Sequence, residues 1–126
     1  MYRLGTKSKE NLKGVHPSLV RVVEKAIEIT PVDFRVTEGL RTWERQRELF
    51  NAGKSKTMNS RHLQGYAVDV VALPDNKVSW DMKHYKAIAG AFKEAAQIVG
   101  VPVVWGGDWQ TFKDGPHFEL DRKAFP

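Results

Sequence analysis

At 126 residues, the chain is the size of one compact domain that can bury a core without disulfides. With 41% hydrophobic and 28% charged residues, its composition is that of a folded soluble domain and excludes disorder beyond the termini. It has no cysteine, which excludes thiolate metal sites and leaves His, Asp and Glu as the available metal ligands. The net charge of +5 favours polyanions in general, but the positive residues are spread along the chain and no nucleic-acid motif occurs, so no nucleic-acid partner is expected.

Residues 1–14 are polar and basic, without the apolar segment of a secretory signal, which predicts synthesis in the cytoplasm. No run approaches the ~20 apolar residues that span a bilayer. The first helix is predicted over 17–29: Leu19, Val22, Val23, Ala26 and Ile27 recur at helical spacing between Pro17 and the Thr30-Pro31 pair. Val32, Phe34 and Val36 alternate with polar residues and predict a strand ending at Gly39, with Arg41 just beyond. A second helix is expected from a Thr42 cap through Trp43, Gln46, Leu49 and Phe50 to Gly53.

The basic run of Lys54, Lys56 and Arg61 reads as a solvated loop rather than a carboxylate-binding patch. Residues 66–73 are Val-rich and predict a central strand, interrupted by the charged Asp69. The third helix carries Tyr85, Ile88, Ala89, Phe92, Ala95, Ala96 and Val99 on one stripe, with Ser79 as its expected cap and Gly100 as its stop. A strand over 101–105, a loop over 106–115 and a last strand over 117–120 complete an α+β arrangement, a small and mainly antiparallel sheet carrying helices.

Two segments concentrate groups able to do chemistry: residues 60–69, Ser-Arg-His-Leu-Gln-Gly-Tyr-Ala-Val-Asp, and residues 114–119, Asp-Gly-Pro-His-Phe-Glu. A catalytic zinc site takes three protein ligands from imidazole and carboxylate and keeps one position open. His62, Asp69 and His117 meet that requirement. An ionised Asp69 left unpaired inside a strand costs on the order of several kcal/mol, and a divalent cation offsets its charge. The alternatives are a salt bridge from Asp69 to one of the twenty Lys and Arg residues and ordinary structural positions for the histidines. Trp80, Trp105 and Trp109 line a groove or anchor loops, and Trp109 is the one expected at a substrate. His16, at a helix start, and His84 are expected not to be ligands.

These segments resemble the signatures of the zinc D-Ala-D-Ala carboxypeptidase and L-alanyl-D-glutamate endopeptidase family, the LAS metallopeptidases. That family is marked by Ser-x-His, then Gly-x-Ala and Asp seven residues after the His, and by a later acidic residue three before a second His; His62 to Asp69 and Asp114 to His117 fit both. Glu38-Gly39-Leu40-Arg41-Thr42 resembles the segment whose arginine lies beside the substrate. Trp105-Gly106-Gly107-Asp108-Trp109 is similar to the stretch before the second His in the phage endolysin branch. The resemblance spans roughly residues 15–120. It implies the LAS fold, shared with hedgehog-like signalling domains, and one catalytic zinc on His62, Asp69 and His117.

By the same resemblance Asp114 is the general base, where carboxypeptidase relatives more often carry Glu, and Arg41 stabilises the oxyanion. A carboxylate three residues before a ligand, in a Gly-Pro turn, can reach a metal-activated water without ligating the metal; the alternative is a turn-forming Asp. Glu119 shares a strand face with His117 and is expected either to orient its imidazole or to form a surface salt bridge. Ser60 is placed with the groups supporting substrate or ligands. The implied substrate is peptidoglycan, cut between L-Ala and D-Glu by a monomeric phage lysin that needs a holin to leave the cytoplasm. The competing readings are a D-Ala-D-Ala carboxypeptidase and a non-catalytic wall-binding module.

Overall fold

The computed structural model describes every residue except Lys56, Asn59 and Phe112; the sequence expectation for Lys56 therefore lies outside the described residues. Among the described residues there are four α-helices, α1 (Thr6–Asn11), α2 (Pro17–Ile29), α3 (Trp43–Asn51) and α4 (Met82–Val99), and four strands, β1 (Phe34–Glu38), β2 (Ala67–Ala72), β3 (Val103–Trp105) and β4 (His117–Leu120), in the chain order α1-α2-β1-α3-β2-α4-β3-β4. The strands form one sheet in the order β1-β2-β4-β3, every neighbouring pair antiparallel. This is the α+β architecture predicted from the residue pattern.

Strand pleating sorts the sheet into two faces. Val68, Val70 and Ala72 of β2 and Phe118 and Leu120 of β4 enter the hydrophobic core with Leu19, Val22, Val23 and Ala26 of α2 and Tyr85, Ile88, Phe92 and Ala95 of α4. Phe92 stacks on Phe118 with ring centroids 3.9 Å apart. The intervening residues, Asp69, His117 and Glu119, fall on the opposite face, where Asp69 pairs with His117 and Ala67 with Glu119 across β2 and β4. The same alternation that builds the core thus gathers the polar residues.

The predicted bounds of α2 and β4 coincide with the structure, and Thr42 caps α3 by accepting from the Arg45 N–H. The cap of α4 is a correction: Asp81, not Ser79, accepts from the Lys83 N–H at 3.0 Å, because Ser79 is drawn into a backbone bridge with Ala72. The Tyr85 hydroxyl fixes this arrangement by donating to the Ser79 carbonyl and accepting from the Ala72 N–H. The buried residue of α3 is Gln46, whereas Trp43 and Phe50 of its apolar pattern are exposed.

Helix α1 has no counterpart in the sequence reading. Its six residues contain one buried side chain, Ser8, whose hydroxyl accepts from the Val36 N–H at 3.0 Å, while Asn11 Nδ2 donates to the Val36 carbonyl at 2.9 Å. Strand β1 is a sheet edge, and α1 satisfies part of that edge's free backbone valence, protecting it from further strand pairing.

Candidate metal centre

His62 sits in a 3-10 turn, Arg61–Gln64, capped by the Ser60 hydroxyl, which accepts from the His62 N–H at 3.2 Å. Ser60 therefore fixes the backbone of the turn. The turn closes on Gly65 at φ +74°; a Cβ there would lie 2.5 Å from the Gly14 carbonyl oxygen, so glycine is required both by conformation and by space. His62 Nδ1 lies 2.8 Å from the Gly39 carbonyl, which fixes the ring if that nitrogen carries the hydrogen. Its Nε2 then points inward, 3.3 Å from Asp69 Oδ1, buried and with no hydrogen-bond partner among the described residues.

Asp69 Oδ1 also meets His117 Nδ1 at 3.1 Å, and the other ring nitrogen of His117 is 2.9 Å from Glu119 Oε1. The ligand atoms of His62, Asp69 and His117 all lie within 4.8 Å of one another. Burial acts to raise the Asp69 pKa, but the adjoining His117 and His62 imidazoles outweigh it and hold the carboxyl well below its usual range. Burial acts to lower the His117 pKa, yet the bonds to Asp69 and Glu119 push it up to about 9. Glu119 is held below its ordinary value, burial being outweighed by His117 and Arg122.

Two imidazoles and a carboxylate, one imidazole nitrogen buried without a partner and the other imidazole held from behind by a carboxylate, form a donor set that fits a divalent cation of the zinc class. A buried ring nitrogen without a partner is otherwise an unexplained cost of about 1–3 kcal/mol.

These residues form the floor of an open cleft of about 1080 Å³. Trp109 lies over His117, ring centroids 5.1 Å apart, and lines the cleft wall. Asp114 also lines it, held in its turn by its N–H donating to the Gly106 carbonyl at 3.0 Å and by its own carbonyl accepting from the His117 N–H at 3.1 Å. Gly106 permits that approach, since a Cβ there would lie 2.4 Å from the Asp114 carbonyl oxygen. Burial, and then the charge of Asp69, raise the Asp114 pKa against the opposing pull of His117, His62 and Arg41. A carboxyl so raised moves toward the range useful to a general base near neutrality.

Arg41 reaches the cleft with its guanidinium already engaged: Nε and Nη2 donate to Glu38, Nη1 donates to Gln46 Oε1 at 2.7 Å, and Nη2 lies 3.7 Å from Asp69 Oδ2. Gln46, fully buried, also donates to the Ser55 hydroxyl and the Thr57 carbonyl, tying Arg41 to the segment after α3. Glu38 and Gln46 were not recognised as site residues from sequence. The spacing of Gln46 from Arg41 is a weak signal, but a polar residue centred on the inward stripe of α3 is a usable one.

One sequence expectation is corrected, and the choice left open for two of the tryptophans is decided. Arg61 is not part of a solvated basic loop: it is 6% exposed, donates to the Leu120 and Phe125 carbonyls, and lies over the Tyr66 ring. Trp105 is a buried anchor whose Nε1 donates to the Gly115 carbonyl at 2.7 Å. Trp80 is exposed, stacks on Tyr85, and does not line the cleft. His16 caps α2 through Nδ1, accepting from the Ser18 N–H, and His84 lies in the first turn of α4, both away from the cluster.

A family model described as phage L-alanyl-D-glutamate peptidase matches residues 1–125. The L-alanyl-D-glutamate peptidase of Escherichia phage T5 is 29% identical over 128 residues, covering 98% of this chain and 93% of that protein. The peptidoglycan L-alanyl-D-glutamate endopeptidase CwlK of Bacillus subtilis strain 168 is 32% identical over 103 residues, covering 71% of this chain and 61% of that protein. The crystal structure of the Serratia marcescens L-Ala D-Glu endopeptidase ChiX aligns with a TM-score of 0.93 at 52% identity, covering 98% of this chain and 93% of that one.

Proposed function

Since the chain belongs to the phage L-alanyl-D-glutamate peptidase family, we propose that it is a metal-dependent peptidoglycan endopeptidase that cuts the L-Ala–D-Glu bond of the stem peptide. The observation that carries this reading is the meeting of His62, Asp69 and His117 on one sheet face, with Asp114 on the wall of the same cleft. His62 through Nε2, His117 through Nδ1 and the Asp69 carboxylate would hold one zinc ion. When bound, such an ion supplies Lewis acidity, which polarises a peptide carbonyl and makes water a stronger acid.

The chain's own groups do the rest. Asp114 takes a proton from the attacking water and returns it to the leaving amine, a role its raised pKa suits. Arg41, held in one orientation by Glu38 and Gln46, presents fixed positive charge to the carbonyl oxygen as it becomes anionic. Glu119 fixes the His117 ring and thereby which nitrogen faces Asp69. Trp109 shields that imidazole from the cleft side.

No helix among the described residues is long and apolar enough to cross a membrane. The setting proposed with this activity is a monomer forming one peptidase domain, made in the host cytoplasm and passed to the wall through a holin or equivalent route. The test is digestion of purified peptidoglycan by zinc-loaded, chelated and reloaded protein, with the products labelled at their amino termini. New N-terminal D-Glu, lost on chelation and restored by zinc, is expected. Free D-Ala without new D-Glu termini would replace the reading with a D-Ala-D-Ala carboxypeptidase, and wall binding without any product would replace it with a non-catalytic module.

A further inference from the structure

A bond between L-Ala and D-Glu has its nitrogen on the glutamyl residue. Glutamate brings two carboxyls, the peptide continues from only one, and the other stays within a few bonds of the nitrogen that must leave. The leaving side of the cleft therefore receives a negative charge, and an unpaired cation there distinguishes a substrate whose carboxyl is free from one in which it is amidated.

The cations lining the cleft are Arg41, Arg45, Lys54, Arg61, Lys113 and Arg122. Arg41 is committed to Glu38 and Gln46, and Arg61 to two backbone carbonyls. Arg122 donates to Glu119 at 3.3 Å, and Arg45 lies between Glu38 at 3.8 Å and Glu48 at 3.7 Å. Among the described residues, Lys54 and Lys113 are the lining cations whose ammonium groups have neither an ion pair nor a hydrogen bond. Lys54 comes from the turn after α3. Lys113 immediately precedes Asp114, the group that returns a proton to the leaving nitrogen, and both line the same cleft.

Resting on the endopeptidase reading, we propose that Lys113 is a carboxylate subsite on the leaving-group side of the cleft and that it selects peptides whose glutamyl residue keeps a free carboxylate. Lys54, an equally unpaired cation on the segment following α3, does not share this selection.

The experiment uses two synthetic stem peptides that contain L-Ala–D-Glu and differ only in the unlinked glutamyl carboxyl, free in one and amidated in the other. The ratio of their kcat/KM values is measured for zinc-loaded wild type, Lys113→Ala, Lys113→Arg and Lys54→Ala. Wild type is expected to favour the free acid about tenfold, the size of one charge-assisted hydrogen bond. In Lys113→Ala the preference falls below about twofold, in Lys113→Arg it persists, and in Lys54→Ala it remains near the wild-type ratio. A wild type without preference, a Lys113→Ala ratio equal to that of wild type, or a collapse in Lys54→Ala instead would each overturn the subsite. Cleavage of neither peptide by wild type would overturn the endopeptidase reading and the subsite with it; cleavage of both at equal rates would overturn the subsite alone.

Discussion

Replacing Glu119 by glutamine keeps the shape of the side chain and removes its charge, and the structure indicates what that costs. The carboxylate is 4% exposed, lies 2.9 Å from His117 Nε2, accepts from Arg122 at 3.3 Å, and has the buried Arg61 Nε at 3.7 Å. Both arginines are donors only, so a carboxamide in its place that turns its oxygen to His117 must turn its NH2 toward two cations, and the opposite flip leaves His117 Nε2–H without an acceptor. Loss of a partner that orients a metal-binding imidazole weakens metal affinity by about 10- to 100-fold, or ~1.4–2.8 kcal/mol.

The same substitution lowers the proton affinity of His117, which at neutral pH eases metal entry and masks the loss. Zinc affinity of Glu119→Gln is therefore to be measured with chelator-buffered zinc both at pH 7 and above the His117 pKa of about 9. A deficit of at least about tenfold is expected at the higher pH. Affinity within twofold of wild type there would refute the role of Glu119 in supporting the metal through His117.

Because His117 without metal holds its proton up to about pH 9, zinc binding displaces that proton, and the apparent affinity should rise by up to one decade per pH unit between pH 7 and 9; a flat profile in a zinc titration would contradict this. In folding, the stability that His117 contributes to the metal-free protein through the same raised value is fully present below its ordinary pKa of 6.5 and is lost as pH rises through about 9. The lowered Asp69 carboxyl carries no proton in that window, so the metal-free Tm should fall from pH 7 to 9 while the zinc-loaded Tm falls less. Gln46→Leu removes the acceptor of Arg41 Nη1 and the donor to Ser55 from a fully buried position; a stability loss of about 2–4 kcal/mol in urea denaturation is expected, and a change below about 0.5 kcal/mol would show that the network is not coupled to folding.

The parts of the fold visible in the sequence are those with a repeating apolar pattern. Helix α2 buries the residues that its spacing predicts, as does the α4 stripe except for the half-buried Val99, and the Asp69 interruption of β2 marks the polar face of the sheet. Helix α1 was invisible because its contribution is two side-chain hydrogen bonds to an edge strand more than twenty residues away, which leave no apolar period. The candidate ligands were legible because Asp69 is a charge inside a Val-rich strand and because the order of His62, Asp69 and His117 fits one family pattern. Their supports were less so: Arg61 owes its burial to carbonyls 59 and 64 residues distant, and the hold on Arg41 depends on α3 turning Gln46 inward. A basic residue beside other basic residues reads as solvated until the chain end that covers it is placed.

The most direct test is whether the three-residue cluster holds a metal that Asp114 uses without ligating it. Asp114→Asn separates those roles, since the amide keeps the side chain's shape but cannot accept and return a proton. The variant is expected to bind one zinc per chain with affinity near that of wild type while its release of D-Glu termini from peptidoglycan falls by about 10²- to 10⁴-fold. Activity near the wild-type level would contradict Asp114 as the base, and loss of zinc binding in this variant would contradict its separation from the metal ligands.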